Sequence, residues 1–332
     1  MPDVNEVAAQ VEERVQSVNP FVRSNNYSKA TLVLYRIITV VSWVVFVITG
    51  VYYTFQRPHE GKYAHRTIWG QNSHYATPFA LNSIITSIYW ILLLLLQIPY
   101  LTSLYSSDDA RSRPSAHLAP HFTLSTLLFF GFIHLWTRTH LIWALILLVV
   151  NFLNLTSAYL SLPPPKPPRS ADNPLTADGG ASRRVRDAFR SFVGGNETPT
   201  FDYRLLIHTA VLAGPLAFNF VALYWSGAAA VNAHTLAARI LANIAIWGIL
   251  VYGVFHLYAF GDWVLGVSLS VLAASLGVAQ FLTHVVAFQW IFAFVIMGVL
   301  FVFSITTAVP SLITRGAASD DRERAPLLQG DS

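Results

Sequence analysis

The chain has no cysteine in its 332 residues, which excludes disulfides, thiolate nucleophiles and cysteine-ligated metals. Charge is scarce as well: 11% of the residues are Asp, Glu, Lys or Arg, where a soluble domain carries about 25%. No Asp or Glu falls at the middle of any long apolar run, and Asp262 sits only at the start of one. That weakens the case for a proton pump built on a buried carboxylate. His-Glu-x-x-His, a nucleophile elbow and a phosphate loop are all missing, so the motifs supply no catalytic residue, metal or cofactor. An enzyme is therefore the least supported class, and no nucleic-acid partner is expected.

What the chain has in quantity is hydrocarbon: 54% of the residues are hydrophobic, gathered in long blocks. A helix needs roughly 20 apolar residues to cross a bilayer, and it satisfies its backbone polar groups internally. About eight blocks qualify or nearly qualify. They lie near Thr31 to Phe55, Pro78 to Tyr100, His121 to Trp136, Thr139 to Leu160, Arg204 to Trp225, Thr235 to Tyr258, Asp262 to Phe281 and Val285 to Val309. The reading is an all-α polytopic transmembrane bundle, with the lipid bilayer as its solvent. The third block is short, and only Thr137-Arg138 separates it from the fourth. The pair is thus a tight helical hairpin, or one member is re-entrant.

A polar loop over residues 161–203 splits the bundle into halves at 31–160 and 204–310, flanked by tails at 1–30 and 311–332. Each half holds about four helices, which admits a parallel repeat. The amino tail carries Asp3, Glu6, Glu12 and Glu13, the reverse of a basic signal peptide. Its Val4, Val7, Val11, Val15 and Val18 form one stripe of a short amphipathic helix. With an even number of spans, Arg14, Arg23, Lys29, Arg111, Arg113, the central loop, Arg315, Arg322 and Arg324 share one side. Basic excess marks the cytosol, so both termini and the central loop are expected there.

The loop opens with Pro163-Pro164-Pro165-Lys166-Pro167-Pro168-Arg169. This run is a polyproline II spacer, or a ligand for an SH3-type partner, and the spacer is favoured because such short motifs recur by chance. Arg183, Arg184, Arg186 and Arg190 interleave with Val185, Phe189 and Phe192. That spacing suits a lipid-binding interfacial helix, and equally a basic segment that only enforces topology. Glu323, Leu327 and Leu328 resemble an acidic dileucine signal read by sorting adaptors. Asn19-Pro20-Phe21 similarly resembles an endocytic tripeptide, although a helix-ending turn accounts for it more simply. Together these features point to a vacuolar or endosomal membrane.

Other stretches carry a resemblance that composition does not supply. They are Thr77-Pro78-Phe79-Ala80-Leu81-Asn82, Gln97-Ile98-Pro99-Tyr100, Asn151-Phe152-Leu153-Asn154-Leu155-Thr156-Ser157, Gly214-Pro215-Leu216-Ala217, Ala237-Ala238-Arg239-Ile240 and Gln289-Trp290-Ile291-Phe292. The chain resembles a fungal family of multi-pass membrane proteins known only as a domain of unknown function. The resemblance covers most of the hydrophobic chain and implies a fungal source. It brings no activity and no site residues.

Polar groups inside a membrane are costly, so they mark sites or glue. Asn82, Asn151, Asn154, Asn219, Arg239, Asn243 and His256 recur along the spans. They are candidates for a polar pathway between the halves, with Arg239 attracting an anion. The alternative is interhelical hydrogen bonding, with Arg239 snorkelling to the surface. His121 and His134 are 13 residues apart, as stacked haems would need, but no second helix mirrors them and His208 stands alone in its span. Gly266, Ser270 and Ala274 form a small-residue ladder, which suits close packing inside the bundle or a dimer face. Two function classes follow: a small-solute transporter or channel, and a non-transporting membrane organiser or trafficking component.

Overall fold

A computed structural model describes residues 29–60, 65–106, 109–162, 203–233, 235–283 and 288–323. Among these residues helices are the only regular secondary structure, and eight of them are long and apolar enough to cross a membrane: Thr31–Phe55, Ser83–Ser103, Ser115–Thr137, Leu141–Ser161, Tyr203–Ala230, Leu236–Phe260, Trp263–Thr283 and Gln289–Ala308. They are called spans 1 to 8 below. The Pro-rich run, Arg183, Arg184, Arg186, Arg190, Leu327, Leu328 and the amino-tail motifs lie outside the described residues.

The bundle is apolar on its outer surface as well as in its core. Span 1 turns Val33, Ile37, Val41, Ile48 and Phe55 outward, where lipid is an equivalent solvent for them. Its inner face is polar: Thr39 meets the Thr123 hydroxyl at 3.1 Å, the Thr126 hydroxyl donates to Ser42 at 3.0 Å, and Trp43 Nε1 donates to Gln97 Oε1 at 2.7 Å. Only 17% of the apolar window of span 1 is buried, against 83% for span 5 and 72% for span 7. Spans 5 and 7 are therefore the axis of the bundle, and span 1 is a peripheral stave.

The chain runs back and forth, so one face carries the ends of the spans that flank the central loop, and the other carries the hairpin ends where spans 1 and 2, 3 and 4, and 5 and 6 meet. Span 3 is a full-length helix, beginning ahead of His121, and it packs along span 4 through a turn in which Thr139 takes φ 68°. The re-entrant alternative is thereby excluded. Spans 7 and 8 pair along their length, with Gly277 against the Phe294 ring, Gly266 against Ser304 and Leu257, and the Ser270 hydroxyl donating to the Met297 carbonyl at 2.8 Å. The small-residue ladder is thus spent inside the bundle at Gly266 and Ser270, and a dimer face built on them is corrected to an internal contact. Span 5 packs on span 4 and span 7 on span 2, so the two sequence halves interlock.

Boundaries differ from the sequence reading where local chemistry overrides hydropathy. Span 2 starts at Ser83, because Asn82 Oδ1 accepts the Ile84 and Ile85 amides as an N-cap. The preceding residues 77–82 form an irregular segment with Thr77, Phe79 and Leu81 buried. Its backbone is satisfied by side chains: Asn72 pairs with both Leu81 N–H and C=O, Gln280 donates to the Thr77 carbonyl at 3.0 Å, and Ser275 Oγ accepts the Asn82 amide at 2.9 Å. Non-helical backbone at this depth is tolerated only with such partners. A short helix, Ile68–Tyr75, precedes it and is capped by Thr67. Span 6 is two helices, Leu236–Ala245 and Trp247–Phe260, and the last helix runs on from span 8 to Glu323. Glu323 therefore ends a helix instead of lying in an extended tail.

Candidate functional site

The structure disperses the residues expected to line a polar pathway. Asn151 Nδ2 donates to Asn219 Oδ1 at 3.0 Å, and Asn219 Nδ2 donates to the Leu148 carbonyl at 2.9 Å, both buried between spans 4 and 5. Asn154, one turn along, instead joins span 4 to span 3: it exchanges hydrogen bonds with His121 Nδ1 at 2.8 Å and the His121 carbonyl at 2.9 Å. Asn82 is the cap described above. Arg239 is exposed on the first helix of span 6, and Asn243 keeps a buried Oδ1 with no partner among the described residues. His256 is buried and donates Nδ1–H to the Tyr252 carbonyl one turn back at 2.9 Å.

His256 instead lies beside a cluster that neither hydropathy nor spacing indicated. Asp262 is 2% exposed, and its Oδ2 accepts from His208 Nε2 at 2.9 Å and from the Tyr159 hydroxyl at 2.8 Å. The expectation that Asp262 merely opens span 7 and that His208 stands alone is corrected: they form a buried pair 54 positions apart in the chain. The Tyr159 ring packs against His208, His256 and Phe260 with centroids 5.3 to 5.5 Å away. Tyr252 stacks on Phe220 at 3.9 Å and touches His256 at 4.3 Å, closing the aromatic wall.

Local chain geometry fixes each member. The helix of span 6 ends in an αL cap: Gly261 is left-handed at φ 66°, its amide bonds the Leu257 carbonyl four residues back, and the Asp262 amide bonds the His256 carbonyl. Glycine is needed there because a Cβ is strained at that φ. Asp262 then N-caps span 7, with Oδ1 accepting the Leu265 amide at 3.1 Å. One residue thus ends one span through its amide, starts the next through Oδ1 and reaches across to spans 4 and 5 through Oδ2.

His208 is set by a π-helical segment, His208–Ala213, in span 5. Pro215 has no amide hydrogen and its ring crowds the preceding turn, and the Gly214 amide bonds Thr209, five residues back. Such π-bulges re-aim side chains and recur at functional sites.

The electrostatics favour an ionised carboxylate. Burial pushes the Asp262 carboxyl up, but the hydrogen bond from His208, the positive charge that ring carries once protonated, the Leu265 amide and the Tyr159 hydroxyl outweigh it and hold Asp262 below the usual carboxylate range. His208 Nδ1 is buried and has no partner among the described residues, an omission that costs about 1–3 kcal/mol if nothing fills it. The arrangement is chemically a base: one ring nitrogen is anchored on a carboxylate and the other is open. Among the described residues no group of three or more His, Asp or Glu could hold a metal.

Comparison with known proteins adds a family match over part of the chain and no activity. An uncharacterized protein of Schizosaccharomyces pombe is 32% identical over 104 residues, which is 31% of this chain and 38% of that relative. The chain thus spans well under half the length of the curated relative it matches. No solved structure matches. Asp262 and His256 fall inside the stretch that a family model covers, whereas Tyr159 and His208 fall outside it. That stretch, residues 239–328, matches the family described as fungal protein of unknown function (DUF1774).

Proposed function

We propose that the protein is a small-solute transporter of a vacuolar or endosomal membrane, with the Asp262, His208 and Tyr159 cluster as its working part. The observation that carries the reading is an ionisable pair buried within a helical bundle, at the ends of its two most enclosed spans. Ionisable groups in such places are expensive and mark ion or substrate pathways. In this reading the central-loop face is cytosolic, the tail signal at Glu323, Leu327 and Leu328 engages sorting adaptors, and Arg183, Arg184, Arg186 and Arg190 rest on anionic lipid. The test compares vacuoles isolated from fungal cells that express the wild type, Asp262→Asn or no copy. Amino acids, sugars and inorganic ions are measured in each. Transport predicts that one solute class differs severalfold between wild type and the null, and that Asp262→Asn, still on the vacuolar rim, behaves as the null. Equal contents in all three would sink the proposal.

The second reading is a membrane organiser. It is favoured by the Asn151–Asn219 and Asn154–His121 bonds, which commit both asparagines of span 4 to helix–helix glue. An organiser predicts equal solute contents together with mislocalised partner proteins in the null, including any SH3-type partner at the Pro-rich loop.

A further inference from the structure

We infer that His208 is a proton-binding site, with Nδ1 as the atom that takes the proton and Asp262 as the counter-charge. As binding chemistry this stands on the cluster alone; as the ion coupled to solute movement, it rests on the transport reading above.

The geometry assigns the roles atom by atom. Nε2 donates to Asp262 Oδ2 at 2.9 Å, which leaves the Nδ1 lone pair free in the neutral ring. Nδ1 is buried without a partner among the described residues, so an incoming proton displaces no existing hydrogen bond. Uptake forms one N–H bond at Nδ1, and the hydronium that delivers the proton leaves as water. The buried cluster then passes from net negative, with carboxylate and neutral imidazole, to net neutral, with carboxylate and imidazolium. Low-dielectric surroundings favour the neutral pair over the lone carboxylate.

The titratable groups around the ring are few. Tyr159 of span 4 and Asp262 of the turn between spans 6 and 7 touch it or share its hydrogen bonds. His256 and Tyr252 of span 6 stand one ring further out, and Arg204 is exposed a turn earlier on the same helix. Span 2 faces the π segment with the neutral Gln97. Asp262 is therefore the group positioned to balance an imidazolium. Tyr159 is a positioning residue that holds Oδ2 in line.

The test is nitrogen NMR of the full chain labelled with 15N-histidine in nanodiscs, with His208 assigned by its loss in His208→Gln. In the wild type, the Nδ1 resonance of His208 is expected to move from the unprotonated to the protonated range as the buffer is acidified. Asn at position 262 can still cap span 7 through its side-chain oxygen but carries no charge. Asp262→Asn should therefore fold and show an imidazolium fraction about tenfold lower at a given pH. Tyr159→Phe should retain the titration. A wild type whose Nδ1 takes no proton at any pH at which it stays folded overturns the inference, as does an Asp262→Asn protein that titrates like the wild type. Should Asp262→Asn fail to fold, the wild-type titration decides alone. A normal titration beside unchanged vacuolar contents would overturn transport and leave proton binding standing.

Discussion

Gln97 Nε2 of span 2 donates to the Ala210 carbonyl of span 5 at 3.0 Å, and that carbonyl has no partner in its own helix. The Gly214 amide that would serve it bonds Thr209 instead, and the next residue is Pro215, which has no amide hydrogen. A side chain from another span therefore completes the backbone of the π segment that carries His208. Gln97→Leu removes the donor and leaves the buried acceptor unmet, at a cost of about 1–3 kcal/mol. Thermal unfolding in nanodiscs should register that loss. An unchanged melting temperature would mean that the π segment does not need span 2.

Gly214 tests the same segment from the steric side. A Cβ there would press on Leu93 Cδ2 and lie 2.8 Å from the Thr209 carbonyl oxygen, whereas a Cβ on Gly298 meets nothing within 4 Å. Leu93 can move aside, but the backbone oxygen moves only with the helix. Gly214→Ala is expected to destabilise by about 1–3 kcal/mol, with Gly298→Ala neutral in the same melt. Equal melts for the two variants would contradict the packing.

On the hairpin face, Arg138 gathers the loop that follows span 1. Its guanidinium contacts both Glu60 oxygens, at 2.9 and 3.3 Å, the Tyr53 hydroxyl at 3.2 Å and His134 Nδ1 at 3.1 Å. The hydrogen bond and charge of Arg138 hold the Glu60 carboxyl below its usual range. A depressed carboxylate contributes above its unfolded value, and that contribution is lost as pH falls through the lowered folded value. The chain has no cysteine, so a spin label at His59→Cys reports the loop alone. The label is expected to stay immobile at neutral pH and loosen only below about 4.3, the ordinary glutamate range, and Glu60→Gln should loosen it at pH 7. Release in the wild type well above the ordinary glutamate range would mean that Glu60 is not the controlling group.

The spans were legible because hydrocarbon thickness sets a length that apolar runs reveal directly. The inward asparagines were legible as well, since a polar side chain in a span needs a partner. Their partners were not: Asn151 and Asn154 share a face three positions apart, yet one bonds span 5 and the other span 3. The Asp262 site was missed because a residue between two apolar runs reads as solvated, and His208 is distant in sequence. The usable signal was Gly261-Asp262, a left-handed glycine followed by a capping acid. Such a tight turn draws two spans together and leaves the acid little room to reach water. The π segment left only Gly214-Pro215 as its trace, and that pair fits an ordinary kink equally well.

The measurement that tests the account most directly is a double-mutant cycle on His208 and Asp262, read as thermal stability of the full chain in nanodiscs. His208→Gln and Asp262→Asn are each expected to destabilise. The double variant should be no worse than the more damaging single one, a coupling of about 1–3 kcal/mol. Additive losses would mean that the two residues act independently, and the buried pair at the centre of this account would not exist.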